Sequence, residues 1–231
     1  ARAQIEAQLG RPVDEVFCEL DEEPVAAASV AQVHRGRLVE GGVEVAVKVL
    51  RPDVRAKTER DGAILLLCAE AMMRLSAVAA HADLAGHVRE FIEGVLAQTD
   101  LSIEAENYVR FRANFESVPD VRFPRVYPEA SGKQVMTMDF VRGRKVDTLQ
   151  PSEETAVIAR RLRMAFFKML FEDGFLHADL HPGNLLIDEE GHITLFDVGL
   201  AKHLSDELLD YYIDFNKCLG LGSAPDFVTH L

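Results

Sequence analysis

The spacing of apolar positions changes period several times along this chain, and each change marks an element. Residues 1–20 place Ile5, Leu9, Val13, Val16 and Phe17 at helical intervals, interrupted at Gly10-Arg11-Pro12. From 24 to 50 strict alternation takes over. "ASVAQVHRGRLV" and "VEVAVKVL" read as two strands, and the Glu40-Gly41-Gly42 link between them reads as a hairpin. Pro52 ends the second strand. Residues 54–116 contain no proline and are rich in Ala, Leu, Glu and Arg, which predicts two or three consecutive helices with a break near 81–87. Strand character returns over 121–143, with "ASGK" as its turn. Residues 153–174 are helical and close on Asp173-Gly174. A loop, "FLHADLHPGN", and a tight hairpin, "LLIDEEGHITLFD", follow, and a last helix is expected over 205–219. The chain shows no internal repeat, and 141–153 is the best boundary between a strand-rich N-terminal lobe and a helical C-terminal one.

Length and charge narrow the options. The 231 residues suffice for one large domain or two small lobes sharing a cleft, and 48% are apolar, so a substantial core forms. A net charge of −13 argues against nucleic acid as a partner. The short basic runs "VRGRK" at 141–145 and "RRLR" at 160–163 read as solvated faces. Cys18, Cys68 and Cys218 are scattered, as expected of reduced thiols in a cytoplasmic compartment. The longest apolar run, "AILLLCA" at 63–69, is far below the roughly 18 residues that span a bilayer. The start on Ala and the end on "FVTHL" suggest an excised core.

The chemistry concentrates in "HADLHPGNLLIDEEGHITLFDVG". Asp179 and Asn184 flank Pro182-Gly183, which bars a regular helix and lets a loop turn both side chains the same way. Asp197 follows across a hairpin. Such a set suits phosphoryl transfer: one carboxylate orients or deprotonates a nucleophile, while the amide and the second carboxylate hold a metal on nucleotide phosphates. Hard oxygen donors select Mg²⁺, with Mn²⁺ as an alternative. The His177-x-Asp179-x-His181 spacing also suggests zinc, but that site lacks further ligands. Lys48 follows Val45 and Val47 on an alternating strand, so its stem leaves a sheet whose other face is core. It either snorkels to water or reaches phosphates. In the second case it needs a carboxylate, and Glu104, one turn after Asp100, is the choice.

These marks together resemble the UbiB/ADCK family of atypical kinases, within the protein-kinase-like superfamily. The resemblance rests on "VAAASVAQVH" (25–34), "VAVK" (45–48), "DLSIEAEN" (100–107), "HADLHPGN" (177–184) and "LFDVG" (195–199). It implies an α+β, bilobal, protein-kinase-like fold over 1–231: an N-lobe to about 140, with a small antiparallel sheet and inserted helices, then a short, mainly helical, truncated C-lobe. It implies ATP and Mg²⁺ as cofactors, Lys48 on the phosphates and Glu104 as its partner. Asp179 becomes the catalytic-loop aspartate, and Asn184 and Asp197 the metal ligands. Nucleotide contacts fall on Val25, Ala26, Ala27, Ala28, Ser29, Val30, Ala31, Gln32 and Val33, with Asp139 to Val141 as the hinge that receives adenine. The family supports ubiquinone and other isoprenoid-lipid metabolism from membrane surfaces. The implied partners are therefore a nucleotide, and a quinone precursor or lipid and a membrane's inner face reached through segments outside this chain.

Three departures stand out. The family's KxGQ segment is not among these residues, its E-x-D reads Gln98-Thr99-Asp100, and its DFG-type motif is Asp197-Val198-Gly199. The alanines of the phosphate loop lack glycine's freedom at positive φ, so a stiffer cradle is expected, as a short helical turn offering N–H groups. Fifty-five residues separate Lys48 from Glu104 and only 34 follow Asp197, with nothing like "APE". Both features favour a small-molecule or lipid-linked role over protein phosphorylation. The alternatives are a phosphotransferase resembling the aminoglycoside kinases and a nucleotide-gated pseudokinase.

Overall fold

The computed structural model describes residues 1–27 and 30–221, with the backbone alone described for Asp147 and 215–221. The chain divides into two compact units, the first made of 1–112 and 124–141, the second of 113–123 and 142–231. The division at Val141–Arg142 lies at the edge of the expected boundary, and the second unit also takes a short segment from before it.

In the first unit, α1 (Arg2–Leu9) stops at Gly10, whose φ of 68° lets its N–H close on the Glu6 carbonyl. A single turn, α2 (Val13–Val16), leads straight into β1 (Phe17–Leu20). This corrects the helical reading of 17–20. Phe17 and Leu20 face inward, and the segment gains its backbone partners by pairing with Gly36, Arg37 and Leu38, through an irregular register at Phe17–Glu19. Then come β2 (Ala26–Ala27), β3 (Ala31–Leu38) and β4 (Glu44–Leu50). The β3–β4 hairpin turns where Gly41 and Gly42 take φ of 71° and 62°, which a side chain rarely adopts. Val45, Val47 and Val49 of β4 point to one face, where they bury against Ile5, Val13, Val16, Phe17 and Leu38. Ala46, Lys48 and Leu50 therefore point to the other.

Four helices follow: α3 (Val54–Leu75), α4 (Ala77–His81), α5 (Leu84–Ala97) and α6 (Leu101–Asn114). The break expected near 81–87 is present, since Asp83 takes φ of 44° and its carboxylate accepts the Gly86 N–H at 3.2 Å. A further break at Ser76 adds the short α4. At Gly62 α3 passes so close to α5 that a Cβ there would lie 2.9 Å from Ile92 Cγ2.

Strand character over 121–143 is split between the two units. Val121–Arg122 forms β5, which pairs parallel with β10 (Ile193–Leu195) of the second unit. Pro124 and Pro128 lack the N–H groups that would continue a regular ladder, so 125–127 joins β6 (Val135–Asp139) through isolated bonds, among them Tyr127 N–H to the Thr137 carbonyl at 2.8 Å. The first sheet runs β1-β3-β4-β6, with β2 on β3.

In the second unit, β7 (Arg144–Lys145) precedes α7 (Glu153–Phe167), which starts at a reciprocal cap between Ser152 and Thr155. The helix widens into a π turn over Lys168–Glu172 before Gly174, at φ of 56°, reverses the chain. Next come β8 (Phe175–Leu176), β9 (Leu185–Ile187), β10, β11 (Lys202–His203) and α8 (Asp206–Leu221). The sheet order is β5-β10-β9-β7, with β8 and β11 paired apart. No helix among the described residues is long and apolar enough to cross a membrane.

Candidate functional site

Lys48 sits opposite Val33 on β3 and Met136 on β6, on the sheet face away from the Val45–Val49 core. Its Nζ donates to both carboxylate oxygens of Glu104, at 2.8 and 2.7 Å. The two side chains are 11% and 6% exposed, so this is a desolvated pair in which each charge depends on the other. The start of α6 positions Glu104: Leu101 N–H bonds the Lys133 carbonyl at 2.8 Å, and Asp100 Oδ1 accepts from Ser102 N–H at 3.1 Å. Asp100, one turn before Glu104, is thus engaged with Ser102 and, at 3.9 Å, Lys133. Within Gln98-Thr99-Asp100, Thr99 is buried and donates to the Leu96 carbonyl at 2.7 Å. Its hydroxyl oxygen also accepts from Arg55 Nη1 at 3.3 Å.

The alanine-rich stretch is extended where it is described. Val25 N–H bonds the Val33 carbonyl at 2.8 Å, Ala26 and Ala27 pair with Val33 and Gln32, and the Val30 carbonyl accepts from Arg51 N–H at 2.8 Å. The expected helical turn is not found on either side, because cross-strand bonding satisfies these backbone groups first. Ala28 and Ser29, called as nucleotide contacts, lie outside the described residues. Ala31 is buried, whereas Val25, Ala26 and Ala27 are exposed and Val30, Gln32 and Val33 are half-buried.

At the expected hinge the two named residues differ. Asp139 N–H is bonded to the Arg125 carbonyl at 2.9 Å, and its carboxylate accepts from Arg125 N–H at 2.9 Å and Tyr127 Oη at 2.8 Å. Burial, then the Asp139 carboxylate beside it, raises the Tyr127 hydroxyl above its usual range. Val141, half-buried, makes no hydrogen bond among the described residues.

The second unit assembles the other residues around one loop. Asn184 Nδ2 donates to the Asp179 carbonyl at 3.1 Å and to Asp179 Oδ2 at 3.2 Å. The nitrogen is thereby committed to Asp179, which leaves the amide oxygen to serve a cation. Gly183 lies close under the His181 ring: a Cβ there would be 2.7 Å from it unless the exposed ring shifted, and the ring's Nδ1 accepts the Gly183 N–H at 3.0 Å. The β9–β10 hairpin closes the distance in sequence to Asp197, since Leu185 faces Leu195 and Phe196 N–H bonds the Asn184 carbonyl at 2.9 Å. Asp197 takes φ 55°, ψ 59°, and Ala178 takes φ 59°. Left-handed conformations in non-glycine residues cluster at functional sites. Val198 is fully buried, so the residue departing from the DFG pattern serves as core.

His177, whose spacing from His181 suggests a metal ligand, has a different part in the structure. The ring is fully buried; Nε2 donates to the Phe196 carbonyl at 2.8 Å, and Nδ1 accepts from Asp179 N–H at 3.4 Å. Burial lowers its pKa, outweighing the Phe196 carbonyl and the nearby Asp179 and Asp197 carboxylates, which favour the charged ring. It is a neutral linker between the Asp179 amide and Phe196, the residue before Asp197. The residue type gave no such signal, because the contact depends on the hairpin returning Phe196 to the loop.

The remaining basic runs are not uniformly solvated. Arg144 pairs with Glu154, but Arg161 is only 30% exposed and holds Asp120 at 3.0 Å and the Gly191 carbonyl at 2.7 Å. Cys18 and Cys68 are free thiols, and the Cys218 side chain lies outside the described residues.

The ABC1 atypical kinase-like domain matches residues 1–219. The chain is 37% identical over 231 residues to a chloroplastic aarF domain-containing protein kinase of Arabidopsis thaliana, covering 97% of this chain and 32% of that protein. It is 35% identical over 194 residues to a probable protein kinase UbiB of Aeromonas salmonicida, covering 82% and 36%, and 33% identical over 247 residues to that of Vibrio atlanticus, covering 100% and 45%. The chain thus spans 32% to 45% of the length of these relatives. Among solved structures, Rv3197 of Mycobacterium tuberculosis, described as a complex with erythromycin, superposes with a TM-score of 0.73 at 21% identity, over 99% of this chain and 57% of that one. The shared architecture is kinase-like, and by its sequence the chain belongs to the ABC1 atypical kinase-like family, that of the UbiB and aarF-domain kinases.

Proposed function

We propose that this chain is the nucleotide-using core of an Mg²⁺-dependent atypical kinase or ATPase that serves ubiquinone or other isoprenoid-lipid metabolism. The observation that carries the reading is the desolvated Lys48–Glu104 pair, which holds an ammonium on a sheet face for phosphate oxygens. Asn184 and Asp197 offer hard oxygen donors that would hold Mg²⁺ or Mn²⁺, and such a cation would supply positive charge against the phosphates. Asp179 accepts the proton of the attacking hydroxyl or water as its oxygen bonds to the γ-phosphorus and the bond to ADP breaks, the electron pair leaving on ADP. Adenine recognition falls to the backbone of Val141, because the Asp139 N–H is already committed. The alanine stretch contributes strand edges to the phosphate cradle in place of a flexible glycine loop. The expected acceptor is a quinone precursor, a lipid or water, met at a membrane's inner face.

The test is Mg²⁺-dependent ATP binding and phosphate release on the same sample, for the native chain, Asp179→Asn and Asp197→Asn. The proposal expects binding with release, with release falling at least a hundredfold in Asp179→Asn while ATP still binds. Binding without release, with or without quinone-like lipids, overturns the catalytic reading in favour of a nucleotide-gated module.

A further inference from the structure

Within the second unit, α7 and the 117–121 segment enclose a groove of about 480 Å³, inside the range of small-molecule sites. Its helical wall is one face of α7 continued into the π turn: Val157, Arg160, Arg161, Met164, Ala165 and Lys168 fall at the i, i+3, i+4, i+7, i+8, i+11 spacing that stacks side chains in a single row. None of these residues belongs to the Asp179, Asn184 and Asp197 set.

Two features of the wall decide what it takes. Two of its apolar residues stand outside the core, since Met164 is 58% exposed and Val157 45%, both lining the groove, whereas Ala165 is buried. The cations differ in commitment. Arg161 is neutralised by Asp120 at 3.0 Å, and Lys168 by Asp173 at 2.6 Å. Lys168 also lies 5.2 Å over the Phe115 ring. Arg160 has no ion pair or hydrogen bond among the described residues. The groove therefore combines one uncommitted guanidinium, a second whose charge is balanced, and exposed thioether and valine surface. This occurs in a chain whose net charge is −13.

We propose that this groove is a second small-molecule site, for an anionic amphiphile whose carboxylate or phosphate head meets Arg160 and whose apolar body lies on Val157, Met164 and Val118. A guanidinium grips such heads by charge-assisted, two-point hydrogen bonds. The apolar wall excludes simple anions as good ligands, and Arg160 disfavours uncharged tails relative to anionic ones.

The test is calorimetric titration of the whole chain with dodecanoate, dodecanol and acetate, each below the concentration at which it forms micelles. Saturable, one-to-one binding of dodecanoate, at least tenfold tighter than either control, is expected. Arg160→Gln should weaken dodecanoate about tenfold and leave dodecanol unchanged, and Met164→Glu should abolish dodecanoate binding. Both side chains are exposed, and unchanged thermal melting of the variants confirms that the fold survives. Equal binding of dodecanol and dodecanoate, indifference to both substitutions, or no saturable binding overturns the proposal. ATP binding, measured separately, stays unchanged in Arg160→Gln, so this site and the nucleotide reading stand or fall independently.

Discussion

Glu104 receives Lys48 Nζ on both of its carboxylate oxygens, 56 positions along the chain from the lysine. The strand supplies the ammonium and the capped start of α6 supplies the acid, so the pair reports on the sheet and the helix together. Glu104→Gln leaves a buried ammonium facing an amide, and breaking such a pair costs about 3 kcal/mol of stability. A lowered urea midpoint measures this. The double variant Lys48→Met with Glu104→Leu should lose clearly less than the two single losses added together. Simple additivity would show that the charges are not coupled.

His177 predicts a pH dependence. Its folded pKa lies below the ordinary value because burial disfavours the charged ring. The unfolded chain therefore binds the extra proton more readily, and the stability this residue contributes is fully present above about pH 6.5 and declines as pH falls through the folded pKa. Chemical denaturation between pH 7.5 and 5 should show the native chain's advantage over His177→Asn shrinking as the solution is acidified. A constant difference would refute the burial argument.

Ala178 is exposed and holds φ of 59°. The left-handed region costs an L-residue about 1 kcal/mol, and this Cβ buries nothing in return. Ala178→Gly should therefore be neutral or stabilising by up to about 0.5 kcal/mol after the loss of unfolded-state restriction. A thermal midpoint reads this directly, and a marked fall would mean that the alanine methyl has a packing role.

Gly143 gives the opposite expectation. A Cβ there would lie 2.8 Å from the Ile187 carbonyl oxygen, where β7 meets β9. Backbone cannot yield as a flexible side chain does, so Gly143→Ala should cost about 1–3 kcal/mol. Amide exchange should quicken first at Arg144–Lys145 and Leu185–Ile187.

The elements follow from local pattern wherever local bonding decides the structure. The alternation of Val45, Val47 and Lys48 placed the lysine on the correct face, and the Gly41-Gly42 turn fixed the hairpin. Readings failed where a distant partner decides. Phe17–Leu20 is a strand because the edge of β3 takes it, and Val121–Arg122 leaves its neighbours to lie parallel to β10. The π turn after α7 continues an unbroken helical pattern, and nothing in the composition marks its widening. The left-handed backbone at Ala178 is equally silent, since alanine does not advertise that conformation.

The His177 ring has a mechanical consequence. One nitrogen holds the peptide ahead of Asp197, and the amide of Asp179 is shared between the other nitrogen at 3.4 Å and the His177 carbonyl at 2.8 Å. Asn184 adds a second strap, its carbonyl holding Phe196 and its side chain holding Asp179. The three polar residues are therefore lashed to a common frame. Slack in any one strap spreads to all three, and loss of order at this loop should be felt as a single event.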